Sequence, residues 1–151
     1  MNAIFKKLNF KDQPAIYILN TPASFQPAVN EMRNLTEVRT DLVKAKDTAF
    51  ALIFATAKSE VDAFADRVSK MTNGDPIVWV AYPKASSKNY PCEFNRDTGW
   101  DRFGAHGFEP VRQVAIDENW SALRFRRVER IKTMTRSFAL TKAGQAKVEH
   151  R

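Results

Sequence analysis

The stretch AFALIFATAKSEVDAFADRVSKMTNGDPIVWVAYP, Ala49 to Pro83, decides the fold. Its opening run is apolar at successive positions. Phe50, Leu52 and Phe54 fall on one face of an extended chain and Ala51, Ile53 and Ala55 on the other. A strand apolar on both faces is one covered on both faces, as in a parallel sheet flanked by helices. SEVDAFADRVSKM then changes period. Val61, Phe64, Ala65, Val68 and Met71 recur at helical spacing, and Ser59 with Asp62 fits a capping box at the start. Asn73-Gly74 supplies the stop, and PIVWVAYP is a second doubly apolar strand. Strand, helix and strand in that order form a right-handed crossover between parallel neighbours.

Working outward, Pro14 opens AIYILN, a strand closed by the turn signal NTP. ASFQPAVNEM predicts a short helix with Ser24 as N-cap and Pro27 in its first turn. TEVRTDL predicts a polar edge strand. Downstream, NRDTGWDRFGAHG predicts a helix stopped near Gly107 with Trp100 and Phe103 turned inward. EPVRQVAI and SALRFRRV flank Asp117, Glu118 and Asn119, which read as turn formers joining an antiparallel hairpin with Trp120 packed beneath. The expected molecule is a single Rossmann-like α/β domain over residues 1–128. Its mixed, mainly parallel sheet is flanked by helices and carries an antiparallel strand at one edge, followed by a basic extension, 129–151.

The length of 151 residues suits one domain with its own core. One cysteine, Cys92, excludes an intrachain disulfide and points to a reducing compartment. The start, MNAIFKKLNF, lacks the apolar core of a signal peptide, and the longest apolar run, Ala49 to Ala57, is too short to span a bilayer. The expected setting is therefore the cytoplasm, without a membrane partner. The net charge of +7 is lopsided: residues 121–151 hold nine Lys or Arg against two Glu, while residues 1–120 balance fifteen against fifteen. Such asymmetry points to an anionic partner, a small molecule or a nucleic acid.

From TAFALIFA through HGFEPVRQVAI to SALRFRR, the order of elements resembles the C-terminal half of class I S-adenosylmethionine-dependent methyltransferases. The phrases VWVAYPK and VRQVAIDENWSALRFRR are also similar to a family of small bacterial α/β proteins, a domain of unknown function, which implies a Rossmann-like fold and no activity. The methyltransferase resemblance implies a glycine-rich loop after the first strand, where the backbone approaches the cofactor closely. ILNTPASF, Ile18 to Phe25, holds no glycine there. Asp41 stands where an acidic residue would hold the cofactor's ribose. No cofactor is expected.

Ligands of open α/β sheets bind at the carboxyl ends of the strands. PKASSK follows such an end directly, and its Lys84, Ser86, Ser87 and Lys88 suit an anion. Asn20 and Thr21 follow the first strand, Thr56 and Lys58 the third, and Arg96 adds a planar fork. The bland alternative is a solvated loop. No nucleophile elbow accompanies the serines, and two histidines with one cysteine make no standard zinc site. Cys92 reads as a small buried hydrophobe, and His106 as a solvent-facing helix cap. Period-two alternation through SALRFRRV places Arg124 and Arg126 on one face. With Arg127, Arg130, Lys132 and Arg136 they form a cationic stripe able to neutralise phosphates, and Phe138 is available for stacking.

No reaction is legible. The leading reading is a non-enzymatic binding or regulatory module for an anionic ligand. The alternatives are a degenerate methyltransferase-like enzyme and a nucleic-acid-binding protein using the hairpin and tail.

Overall fold

The computed structural model describes residues 2–88, 90–92, 94 and 98–131. Arg96, Lys132, Arg136 and Phe138, and most of the expected basic extension, lie outside that set. The described chain forms one six-stranded sheet: β1 (Ala15–Leu19), β2 (Glu37–Arg39), β3 (Phe50–Phe54), β4 (Ile77–Pro83), β5 (Phe108–Ala115) and β6 (Trp120–Arg127). Helices α1 (Ala3–Lys7), α2 (Gln26–Met32), α3 (Lys58–Met71) and α4 (Asp101–Ala105) accompany it.

The strand order is β2-β1-β3-β4-β6-β5. β2, β1, β3 and β4 are mutually parallel, with Leu52 opposite both Ile18 and Trp79. The polar β2 takes the outer edge, where its short length and charged ends limit pairing with other chains. Every residue of β3 and β4 is buried. Phe50, Leu52, Phe54 and Trp79 pack with Phe5, Phe25, Val29 and Met32 on one face. Ala51, Ile53, Val78 and Val80 pack with Val61, Phe64, Val68 and Phe103 on the other. The doubly apolar strands are thus sandwiched as their composition predicts.

Five local expectations are corrected. The segment before α2 is a 3₁₀ turn, Ala23–Phe25, so Ser24 lies inside it and caps nothing. α3 begins at Lys58 and not at a Ser59 box. The Glu60 carboxylate accepts from the backbone N–H groups of Thr56 (3.0 Å) and Ala57 (3.1 Å), which puts its charge on the helix amino end. α4 covers only Asp101–Ala105, although Trp100 and Phe103 are buried and Gly107, φ +83°, ends it as foreseen. His106 is the C-cap of α4 as expected, but it does not simply face solvent: half-buried, its Nε2 lies 2.7 Å from Asp66 Oδ1 on α3. Finally, the antiparallel strand is not at the edge. β6 inserts between β4 and β5, leaving β5 outermost.

One helix was not foreseen. α1 is capped by Asn2, whose Oδ1 accepts from Ile4 N–H at 2.9 Å, and it buries Phe5 and Leu8. Fully buried Trp79 donates its indole N–H to the Leu8 carbonyl at 2.8 Å, which fixes the end of α1 against β4. The hairpin turn follows expectation: Asp117 Oδ1 accepts from Asn119 and Trp120 N–H groups at 2.8 and 2.9 Å.

Candidate functional site

The carboxyl ends of β1, β3 and β4 bring the described anion-site candidates to one edge of the sheet, and of these Lys84 and Ser87 line the cleft after β4. β1 and β4 are separated by β3, so Asn20 and Thr21 stand about 10 Å from Lys84, two strand spacings. Between them lies an anion of the protein's own. Besides its two backbone donors, Glu60 receives Asn20 Nδ2 at 3.3 Å and Thr56 Oγ1 at 3.5 Å. Lys58 bridges Asp62 (2.9 Å) and Asp101 (3.1 Å), and its ammonium is held above the ordinary lysine range, chiefly by the hydrogen bond to Asp62. The middle of the edge is electrostatically satisfied.

The loop after β4 is built differently. Lys84 N–H donates to the Asn119 carbonyl at 2.8 Å, and Ser87 Oγ to Asn119 Oδ1 at 3.0 Å. Tyr90 N–H in turn donates to Ser87 Oγ at 3.3 Å. Ser87 therefore fastens the loop to the β5–β6 turn, a role hidden in sequence because Asn119 is 32 residues away. Ser86 and Lys88 are exposed. The fastened loop borders a cavity of about 350 Å³. Tyr82, Tyr90 and Phe94 line it with aromatic surface, and Lys84, Ser87 and Thr98 supply polar groups. Cys92, half-buried, also lines it.

The aromatic wall is fixed by packing. Phe94 meets Trp100 edge-on at 4.9 Å, and Tyr82 meets Trp100 at 5.7 Å. Gly99, φ +93°, is required there, since a Cβ at that position would come within 2.6 Å of Phe94 Cβ. Among the described residues the Lys84 ammonium has no carboxylate partner. An unpaired cation beside aromatic walls can hold an anion that also carries a flat apolar body.

The arginines occupy the opposite edge, at the amino ends of the parallel strands. β6 runs against β4 with Val78 opposite Phe125, so Arg126 and Arg127 emerge beside the turn that leads into β4. Arg126 makes a two-pronged pair with Asp75, 2.9 and 2.6 Å. That hydrogen bond holds the Asp75 carboxyl below its usual range and raises the guanidinium. Arg127 donates to the carbonyls of Gly74 (3.1 Å) and Thr72 (2.9 Å) and to Thr72 Oγ1 (2.9 Å), with its guanidinium 4.8 Å above the Phe108 ring. Arg124 lies opposite Trp79 and Arg112, with a buried Nε that has no hydrogen-bond partner among the described residues. Burial, then repulsion from Arg126, pushes its guanidinium below the ordinary arginine range. Arg130 is exposed. Of the described members of the stripe, Arg124 and Arg126 share one face of β6 and Arg127 turns to the other, and Arg126 and Arg127 clamp β6 to the α3–β4 turn. Asp75 and Thr72, the partners that explain them, were invisible to a reading of charge alone.

With this geometry in place, the chain can be set beside known proteins. No protein-family model matches it, and no curated protein matches it significantly in sequence. Solved structures do. A SAM-dependent methyltransferase from Aquifex aeolicus superposes with a TM-score of 0.58 at 13% identity, covering 82% of this chain and 87% of that one. The fold is methyltransferase-like. The N-methyltransferase NodS from Bradyrhizobium japonicum is also similar, with a TM-score of 0.44 at 13% identity over 75% of this chain and 84% of that one. The Aquifex likeness extends well past the C-terminal half that the order of elements suggested.

Fold likeness does not carry the cofactor with it. A methyltransferase-like cofactor would meet the turn after β1, and that turn does not fit in the usual mode. Asn20 takes φ +58°, the left-handed conformation glycine normally supplies, and keeps its side chain there, bonded to Glu60. Thr21 and Pro22 follow and lead into the 3₁₀ turn. Asp41, the candidate ribose ligand, accepts from Val43 N–H at 3.1 Å in a local turn.

Proposed function

We propose that the protein is a small cytoplasmic binding module that takes an organic anion in the cleft after β4. The observation that carries this reading is Lys84, a cation without a carboxylate partner among the described residues, at a cavity of about 350 Å³ walled by Tyr82, Tyr90 and Phe94. That volume lies in the range that holds small molecules. The ligand class is a planar carboxylate or phosphate ester, with its ring on the aromatic wall and its charge at Lys84. A partly exposed charge pair contributes up to about 1 kcal/mol, or roughly fivefold in affinity. Titration of 1-naphthoate followed by tryptophan fluorescence tests this. Lys84→Ala is expected to weaken the carboxylate about fivefold and leave the neutral 1-naphthalenemethanol unchanged. Equal loss of both ligands, or binding of neither, refutes the reading.

A second reading, a degenerate methyltransferase-like enzyme, is favoured by the fold likeness alone. Saturable, stabilising binding of S-adenosylmethionine or its demethylated product would support it. Because the turn after β1 lacks the glycine cradle, the expected result is no thermal shift with either compound.

A further inference from the structure

A larger cavity, about 590 Å³, opens at the end of β2 beside Tyr17 of β1, and no reading so far has used it. Three different elements bring a cation to it: Arg33 from the end of α2, Arg39 from β2, and Lys44 from the loop that follows. Against them stands one lining acid, Asp41. Tyr17 and Val38 add apolar surface, and so does Val43, which is 82% exposed.

The cations are positioned and mostly unneutralised. Arg39 Nη1 donates to the Tyr17 hydroxyl at 2.8 Å and Nη2 to Glu37 at 3.0 Å, with Cζ 5.6 Å from the Tyr17 ring centre. Among the described residues the Arg33 side chain reaches the Val38 carbonyl alone, at 3.5 Å. Lys44 makes no hydrogen bond or ion pair with the described residues. The loop bearing Lys44 and Val43 is anchored: Arg67 on α3 donates to the Leu42 carbonyl, Ala45 N–H donates to the same carbonyl at 3.1 Å, and Leu42 and Ala45 pack on the core. Like charges repel, and Arg33 and Lys44 line one concavity from separate elements without, among the described residues, the acids that balance Arg39, Lys58 or Arg126.

We propose that this cavity binds a small organic dianion. Arg39 is already paired with Glu37, so Arg33 and Lys44 are the two lining cations without an acid partner among the described residues, and two negative charges on one ligand meet them. Arg33 offers a planar fork that suits paired oxygens, and Tyr17, Val38 and Val43 accommodate a compact apolar body. A phosphate monoester and a dicarboxylate share this chemistry. A polymer backbone does not, since its charges need cations spread along a line and these point into one cavity. The proposal is independent of the cleft after β4, because β2 and β4 lie three strand spacings, about 14 Å, apart.

Calorimetry on the full chain with phenyl phosphate, phthalate and neutral benzamide separates the outcomes. At least one dianion is expected to bind at low salt with one-to-one stoichiometry, more weakly as ionic strength rises. Arg33→Gln and Lys44→Gln are each expected to weaken it about fivefold, and together by more than about tenfold. Lys84→Ala is expected to leave it unchanged. Both substituted side chains are exposed, and a urea midpoint equal to that of the parent chain verifies the fold. Phenyl phosphate binding without phthalate identifies a phosphate site, and the reverse a dicarboxylate site. The proposal fails if neither dianion binds, if benzamide binds as well as they do, or if the double variant binds as tightly as the parent.

Discussion

Arg127 offers the sharpest test of whether the C-terminal arginines serve the fold or a partner. Replacing it with alanine removes three hydrogen bonds and a guanidinium stacked on Phe108. Thr72 is 2% exposed, so its carbonyl is left where water reaches it poorly, at a cost of about 1–3 kcal/mol. The lost cation–π contact adds about 0.5–1 kcal/mol. The Thr72 hydroxyl keeps its bond to the Val68 carbonyl at 2.6 Å and adds little. The total is about 3 kcal/mol. With a urea slope of about 2 kcal/mol per molar, the unfolding midpoint falls by about 1.5 M. Arg127→Lys keeps the charge but not the fork, and is expected to lose about half as much. Exposed Arg130→Ala is the control, expected within about 0.5 kcal/mol of the parent. Urea unfolding followed by tryptophan fluorescence measures all three. An Arg127→Ala midpoint indistinguishable from that of Arg130→Ala would refute the clamp and return Arg127 to the set available for nucleic acid.

Other outcomes follow from the same structure. Glu60→Ala uncaps α3 and unties Asn20, and is expected to cost about 1–2 kcal/mol in urea unfolding, with Glu60→Gln recovering part of it. Leu52→Ala, at a fully buried site in the middle of the sheet, is expected to cost about 3–4 kcal/mol by the same assay. The carboxyls of Asp66, Asp75 and Asp101 are held below the usual 3.8, chiefly by hydrogen bonds from His106, Arg126 and Lys58 respectively. A carboxyl so depressed binds its proton less readily folded than unfolded. Its contribution is complete above 3.8 and is lost as the pH falls through the folded value. Urea midpoints measured from pH 6 downward are expected to fall below about pH 4, and less steeply in Asp75→Asn.

What the sequence shows plainly is what a few neighbouring residues decide. β3, β4 and α3 declare themselves because their apolar periods are unbroken and each period admits one geometry. The polar β2 is legible as an edge because charged Glu37 and Arg39 flank its one apolar residue, Val38. α1 was missed although Asn2, Phe5 and Leu8 carry its cap and its buried face, because five helical residues give too short a period to stand out. α3 takes its cap from Glu60 and not from Ser59, because the amides needing a partner belong to Thr56 and Ala57 at the end of β3. The site is harder to read than the fold for a related reason. Ser87 answers to Asn119, Arg126 to Asp75 and Asn20 to Glu60. Each of these roles depends on a residue far away in sequence. The position of the loop after β4 was legible, but which of its side chains remain unpaired was not.

The insertion of β6 between β4 and β5 has a consequence for how the chain is made. β4 is buried along its whole length, and its second edge is closed only by the strand that is synthesised last of the six. Until residues 120–127 emerge, a nascent chain displays the open edge of IVWVAYP, apolar and ready to pair with any extended neighbour. β5 emerges earlier and must wait, because the place beside β4 is reserved for its successor. Ribosome stalling or truncation before Trp120 therefore leaves a species whose exposed strand favours aggregation over storage as a stable intermediate.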